Sequence, residues 1–254
     1  SMRFLALACD YDGTLAHDGR VSPETVSALK RLLASGRKLI LVTGRELKEL
    51  LTIFPELTLF DWVVAENGAL LYEPKTKAET PLADPPPLEF LRELERRGVG
   101  PVSVGRVIVA TWEPHQAAVL ESIKELGLEL QVIFNKGAVM ILPSGVNKAT
   151  GLAAALERMG LSPHNVVAVG DAENDHALLS ACECAVAVRN ALPSLQEKAD
   201  LVTEGDHGEG VTELIDRMTK TDLADLDLSR HFLRLGKDRD GKEIRIPPFG
   251  VNVL

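Results

Sequence analysis

Phe4-Leu5-Ala6-Leu7-Ala8-Cys9-Asp10-Tyr11-Asp12-Gly13-Thr14-Leu15 joins an unbroken apolar run to two carboxylates. Residues 4–9 have the length and character of a strand buried on both faces. Asp10 and Asp12 follow at once, and Gly13 permits a sharp turn behind them. Two unpaired carboxylates at the end of a buried strand are costly and raise each other's pKa. A divalent cation removes that cost, and oxygen ligands that retain water suit Mg²⁺.

Strand and helix signals alternate outward from this point. Ser22 reads as an N-cap with Pro23 at the first helical position, and Gly36 closes that helix. Lys38–Thr43 reads as a buried strand, Glu46–Ile53 as a helix and Trp62–Ala65 as a third strand. The rhythm resumes at Asn147. Lys148–Met159 is a helix ended by Gly160, followed by strand Asn165–Val169, helix Glu173–Ala181 and strand Cys184–Val188. Strand Leu201–Thr203 and helix Val211–Met218 complete it. This alternation predicts an α/β fold: a doubly wound, Rossmann-like parallel sheet with helices on both faces.

Residues 74–87 interrupt the pattern with Pro74, Pro81 and Pro85-Pro86-Pro87, a stiff, extended segment expected to pair poorly. Next come a helix near Leu88–Arg97, a strand near Val102–Thr111, a helix near Pro114–Leu126, and strands near Leu128–Phe134 and Ala138–Leu142. These form a small α+β layer suited to a lid. The expected division is a core from residues 1–80 and 145–220, an inserted α+β cap over 81–144, and an extension over 221–254. In the extension, Phe232–Leu235 and Glu243–Ile246 flank Lys237-Asp238-Arg239-Asp240-Gly241, a β-hairpin pattern. Val251–Leu254 reads as a strand cut short, as at the start of a further domain.

The 254 residues are 45% hydrophobic and 26% charged, ordinary globular usage. A chain of this size buries roughly 70–75% of its unfolded surface and needs no disulfide or metal to fold. It has no membrane-length apolar run and no secretory signal, and Ser1 ahead of Met2 reads as a cloning remnant. The net charge of −9 disfavours nucleic acid as a partner and leaves room for a small anionic substrate held by locally concentrated positive charge. Cys9, Cys182 and Cys184 make no disulfide framework and fit a reducing cytoplasm. Cys182-Glu183-Cys184 has no second Cys/His pair to complete a zinc site and reads as small residues at a helix–strand junction.

Three more segments sit at strand ends or helix starts, where open parallel sheets place their sites. Thr43-Gly44-Arg45 offers a hydroxyl and exposed amides, suited equally to a phosphate oxygen or to a helix cap. Lys148 opens a helix whose dipole opposes its charge, so it is either an ordinary surface lysine or the partner of an anion. In Gly170-Asp171-Ala172-Glu173-Asn174-Asp175, Asp171 again follows an apolar strand, and Asp175 lies one helical turn beyond.

Together these segments resemble the haloacid dehalogenase-like hydrolase superfamily over residues 3–218, in motif order, strand context and cap position. Glu66-Asn67-Gly68-Ala69 is similar to its α+β-capped branch, and the short cap is most like that of archaeal-type phosphoglycolate phosphatases and small sugar-phosphate phosphatases. The resemblance implies that Asp10 attacks phosphorus and forms an aspartyl-phosphate. It implies that Asp12 protonates the leaving alcohol and later activates water. Thr43 and the Gly44 amide would hold phosphoryl oxygens, and Lys148 would balance their charge. Mg²⁺ would bind Asp10, the Asp12 carbonyl and Asp171, with Asp175 bound directly or behind, and Asn174 would orient phosphate or metal-bound water. The implied activity is Mg²⁺-dependent hydrolysis of a small phosphomonoester. Alternatives are a phosphomutase, or a regulatory module fused to a P-loop nucleotide-hydrolysing domain. The second is suggested by Ile246–Leu254, although no Gly-x-x-x-x-Gly-Lys-Ser/Thr follows. Arg45 is expected to brace Asp175 by a salt bridge rather than to contact substrate. Arg106, Lys136 and His115 in the cap read as solvated surface rather than contacts to the leaving group, and Trp112 as cap core. His207 and Gly208 lie in a polar loop without a readable role.

Overall fold

The computed structural model describes residues 2–228 and 233–246. The first half of the core runs β1 (Ala6–Cys9), α1 (Pro23–Ala34), β2 (Lys38–Val42), α2 (Leu47–Ile53), β3 (Trp62–Ala65), β4 (Leu70–Glu73) and β5 (Ala78–Pro81). The covering layer follows: α3 (Leu88–Arg96), β6 (Ser103–Val104), β7 (Val109–Trp112), α4 (Gln116–Glu125), β8 (Leu130–Asn135) and β9 (Ala138–Pro143). The chain then returns through α5 (Lys148–Met159), β10 (Val166–Gly170), α6 (His176–Ser180), β11 (Cys184–Ala187), α7 (Pro193–Lys198), β12 (Leu201–Val202) and α8 (His207–Thr221). A hairpin, β13 (Leu233–Lys237) with β14 (Glu243–Ile246), ends the described chain. The expected hairpin start at Phe232 and the expected strand at Val251–Leu254 lie outside the described residues. Among the described residues no helix is long and apolar enough to cross a membrane.

The large sheet has the order β12-β11-β10-β1-β2-β3-β4-β5. Pairing is parallel from β12 to β3, and β4 and β5 add antiparallel at one edge. The apolar runs are buried because helices cover both faces of the parallel part. β1 pairs with β2 on one side and β10 on the other, so the winding reverses at β1. Asp10 and Asp171 follow the two adjacent strands of this switch point, the position that binds ligands in doubly wound sheets.

Several local expectations are corrected. Residues 78–81 do pair: β5 adds to β4 with Leu70 opposite Pro81. Pro81 is tolerated because β5 is the sheet's edge, where a missing N–H removes no inner ladder bond. The expected strand Val102–Thr111 is two strands, β6 and β7, because a turn at 105–108 is needed to present backbone N–H groups to the core. The expected helix from Glu173 begins as a 3₁₀ turn, Glu173–Asp175, and becomes α only at His176. Helix α7 adds to the expected set and starts with Pro193 in its first turn.

The covering sheet has the order β6-β7-β9-β8, antiparallel throughout. Its central strand β9 is apolar at every described position because both faces are covered. Val139 and Ile141 pack with Phe90, Leu94 and Val119 of α3 and α4, while Met140 and Leu142 pack with Ala69 and Ile108.

Helix α5 docks on the core through two glycines. A Cβ on Gly68 (φ +108°) would overlap the Asn147 carbonyl, and one on Gly151 would lie 2.6 Å from Gly68 Cα and overlap Val64. Only bare backbone lets the helix start come this close to the end of β3. Gly151→Val is therefore expected to destabilise the fold by about 1–3 kcal/mol through overpacking. Urea unfolding measures this, and wild-type stability would show that the helix has room to shift.

Candidate active site

Lys148 is the first residue of α5, and a capping box places it there. Asn147 Oδ1 accepts the Thr150 N–H at 3.0 Å, and Thr150 Oγ1 accepts the Asn147 N–H at 3.0 Å. The side chain is 1% exposed. Its Nζ donates to Asp10 Oδ1 and to Asp175 Oδ1, both at 2.6 Å. These two carboxylates offset both the desolvation of the ammonium and the opposing helix dipole. Burial disfavours the charged lysine, but Asp10 and Asp175 outweigh it and hold its pKa above the ordinary value.

The other Asp175 oxygen accepts the N–H groups of Asp171 at 2.9 Å and Ala172 at 3.1 Å. Both of its oxygens are thus engaged, and it fixes the loop after β10 as well as the lysine. Asp171 Oδ1 accepts from the Thr14 hydroxyl at 2.9 Å, and the same hydroxyl lies 3.3 Å from Asp10 Oδ2. One oxygen from each of Asp10, Asp171 and Asp175 falls within 4.8 Å of the others, and all three residues are buried. Burial pushes the Asp10 carboxyl well above its usual range; Asp175 and Asp171 push the same way and Lys148 opposes them. Three buried carboxylates around one buried ammonium leave excess negative charge on hard oxygen donors, which fits a divalent cation.

Asp12 stands apart. Its carboxylate receives a bidentate pair from Arg45, Nε at 2.6 Å and Nη2 at 2.9 Å. Arg45 also bonds Glu49 and stacks over the Tyr11 ring, 5.8 Å from its centroid. The expected brace from Arg45 to Asp175 is therefore absent; Arg45 braces Asp12, since Lys148 and two amides already satisfy Asp175. The Asp12 carboxylate is also outside the three-carboxylate cluster, and its backbone carbonyl accepts at 3.2 Å from Lys136 Nζ, the ammonium that also donates to Asp171.

Thr43 and Gly44 form the turn after β2, where Thr43 Oγ1 accepts the Arg45 N–H at 3.1 Å. Gly44 lines a cavity of about 540 Å³ between the two sheets, together with Asp10, Asp12 and Lys136. Beneath it, Asn174 Nδ2 donates to Asn67 Oδ1 at 2.9 Å, leaving Asn174 Oδ1 and Asn67 Nδ2 buried without hydrogen-bond partners. Asp10, Lys148, Asp171 and Asp175 thus meet directly, with Thr43, Gly44 and Asn174 nearby and Asp12 turned aside.

Glu66 carries a role that sequence reading missed. It is buried at the end of β3, and its carboxylate accepts N–H groups from the covering layer: Arg106 at 2.7 Å, Val107 at 2.8 Å and Ile108 at 2.9 Å. The signal was present, since an acid directly after a buried strand also marks Asp10 and Asp171. Of the three cap candidates, Arg106 pairs with Glu79 at 2.9 Å, and His115 Nε2 lies 2.9 Å from the Gly100 carbonyl. Lys136 is no free surface residue, because its Nζ donates to Asp171 Oδ2 at 2.7 Å. Trp112 is not cap core: it is 54% exposed at the cavity wall. The rings of His17 and His207 stack at 4.3 Å. All three cysteines are buried, and none of them forms a disulfide.

A parallel sheet whose switch point gathers three carboxylates and a lysine is arranged to hold a cation beside an anionic ligand. The model of the haloacid dehalogenase-like hydrolase family matches residues 7–94 and 105–215, and the chain belongs to that family. It is 31% identical to phosphoglycolate phosphatase 2 of Saccharolobus solfataricus over 222 residues, covering 84% of this chain and 92% of the relative. It is 34% identical over 224 residues to phosphoglycolate phosphatase of Methanothermobacter thermautotrophicus, covering 84% and 97%. A haloacid dehalogenase-like hydrolase from Bacteroides thetaiotaomicron shares the fold with a TM-score of 0.73 at 18% identity, covering 85% of this chain and 99% of that one.

Two variants test this geometry. Lys148→Met strands two buried carboxylates and is expected to cost about 3–5 kcal/mol in urea unfolding. Glu66→Gln removes the charge from three hydrogen bonds between the layers, so the amides of residues 106–108 should exchange hydrogen markedly faster than in the wild type. Unchanged protection there would show that other contacts hold the covering layer.

Proposed function

We propose that this protein, a phosphatase of the haloacid dehalogenase-like family, hydrolyses a small phosphomonoester of the phosphoglycolate type, with Asp10 as nucleophile and Mg²⁺ as cofactor. The observation that carries this is the position of Asp10. It sits at the sheet's switch point, 2.6 Å from the Lys148 ammonium and grouped with Asp171 and Asp175. The two archaeal relatives named phosphoglycolate phosphatase, matched over nearly their whole length, support the substrate class.

Phosphoryl transfer depends mainly on positioning and charge neutralisation. Asp10 Oδ1 is tied to Lys148, whereas Oδ2 takes only the Thr14 hydroxyl at 3.3 Å among the described residues and is the oxygen free to attack. Its bond to phosphorus forms as the ester bond breaks, and the Asp12 carboxyl gives a proton to the departing alkoxide. Water then attacks the aspartyl-phosphate, losing its proton to Asp12 and releasing phosphate. Asp12 reaches the ester by exchanging Arg45 for the substrate at the cavity. The Thr43 hydroxyl and the Gly44 amide hold phosphoryl oxygens, and Asn174, bonded to Asn67 beside Gly44, supports that turn. Mg²⁺ held by Asp10, Asp171 and the Asp12 carbonyl supplies neutralisation of the phosphoryl charge when bound. Asp175 keeps Lys148 and the Asp171 loop in place.

Asp10→Asn is expected to lower kcat by at least about a thousandfold, measured as phosphate release from phosphoglycolate. Near-normal turnover in that variant would overturn the nucleophile assignment. EDTA should abolish activity and Mg²⁺ restore it, while activity indifferent to chelation would remove the metal from the reaction.

A further inference from the structure

Lys136 reaches across from the covering layer into the carboxylate cluster. It sits in the two-residue turn between Asn135 and Ala138, which pair as the last and first residues of β8 and β9. Lys136 and Gly137 both have positive φ, 50° and 83°. This is the pattern of a type I′ hairpin turn, in which Asn-Gly is favoured. A lysine in left-handed backbone is disfavoured where asparagine would fit without strain, and such outliers cluster where side chains have work to do. The turn is also short and paired on both sides, so the base of the side chain is firmly placed. Its Nζ lies 2.7 Å from Asp171 Oδ2 and 3.2 Å from the Asp12 carbonyl, beside the nucleophile.

The charge lining the cavity singles this residue out. Asp10, Asp12, Glu46 and Glu49 are acidic, and the one cation from the core, Arg45, is spent on Asp12 and Glu49. Among the described residues the covering layer contributes one cation to the lining, Lys136. The rest of that wall is mostly apolar, with Ile108, Ala110, Trp112 and Met140. An anionic group on a leaving alcohol therefore meets repulsion or indifference everywhere except at this ammonium.

We propose that Lys136 binds the leaving group and selects one that carries a carboxylate close to the ester oxygen. This rests on the phosphatase assignment above. A divalent cation held by Asp171 would repel and displace the ammonium bonded to that carboxylate, and the hairpin would keep the released Lys136 within the cavity for the substrate's carboxylate. A leaving group with a neutral end forgoes this charge-assisted contact, which disfavours that substrate relative to one carrying the carboxylate.

The test compares phosphoglycolate with ethyl phosphate, which has a methyl group in place of the carboxylate, at saturating Mg²⁺. Wild-type protein should favour phosphoglycolate by at least about tenfold in kcat/KM, on the scale of one charge-assisted hydrogen bond. Lys136→Asn suits the turn and removes the charge. It should lower the ratio of kcat/KM for the two esters at least about tenfold, mainly through KM for phosphoglycolate, and Lys136→Arg should retain part of the preference. Without substrate, Lys136→Asn should also bind Mn²⁺ more tightly than wild type, read by electron paramagnetic resonance. An unchanged ratio, or unchanged or weaker Mn²⁺ binding, overturns the role of Lys136. If wild type hydrolyses both esters equally well, the leaving-group assignment fails and the phosphatase stands. If wild type hydrolyses neither, both fail.

Discussion

A single buried ammonium organises this protein. Lys148 bridges Asp10 and Asp175, and through Asp175 it also fixes the backbone of Asp171 and Ala172. Three chain segments, the ends of β1 and β10 and the start of α5, are thereby held at one point. Removing such a charge strands its partners in a medium that solvates them poorly, so the arrangement is close to all-or-none. The glycine contact between Gly68 and Gly151 is the steric counterpart, because without it the helix start would stand off from the sheet.

Around this point the carboxylates divide their work by how fully they are satisfied. Asp175 has both oxygens engaged and acts as a strut. Asp10 keeps Oδ2 toward the cavity, and Asp171 gives one oxygen to Thr14 and the other to Lys136 of the covering layer. Asp12 is held outside the cluster by Arg45. Identical functional groups a few ångströms apart thus have different capacities because their hydrogen-bond partners differ.

The parallel strands were legible in the sequence because they are buried on both faces and appear as unbroken apolar runs ending in acids or glycine. The same logic marked Asp10 and Asp171 as candidates, whereas Lys148, at a helix start, read equally as a surface lysine until its partners were in view. β4 and β5 were not legible: Leu70-Leu71-Tyr72 is short, and the prolines that follow obscured an edge strand that tolerates them. The partner of Arg45 was misjudged because a guanidinium near several acids goes to whichever carboxylate is unsatisfied, which only the assembled site reveals. Lys136 and Trp112 were opaque for a related reason. Their directions depend on how one sheet lies over another, and no local pattern of residues encodes that.

Only residues 144–147 separate the last strand of the covering sheet from Lys148. Gln131 of β8 donates to the carbonyls of Pro143 and Val146, stapling this short leash to the covering sheet. On the entry side, residues 82–87 are longer and carry three consecutive prolines. The two crossings are therefore unequal: the exit ties the covering sheet closely to the helix that carries the ammonium, and the entry is a longer, stiff spacer. A lid grafted from a relative would have to arrive with its own exit leash matched in length, while the entry crossing could be exchanged more freely.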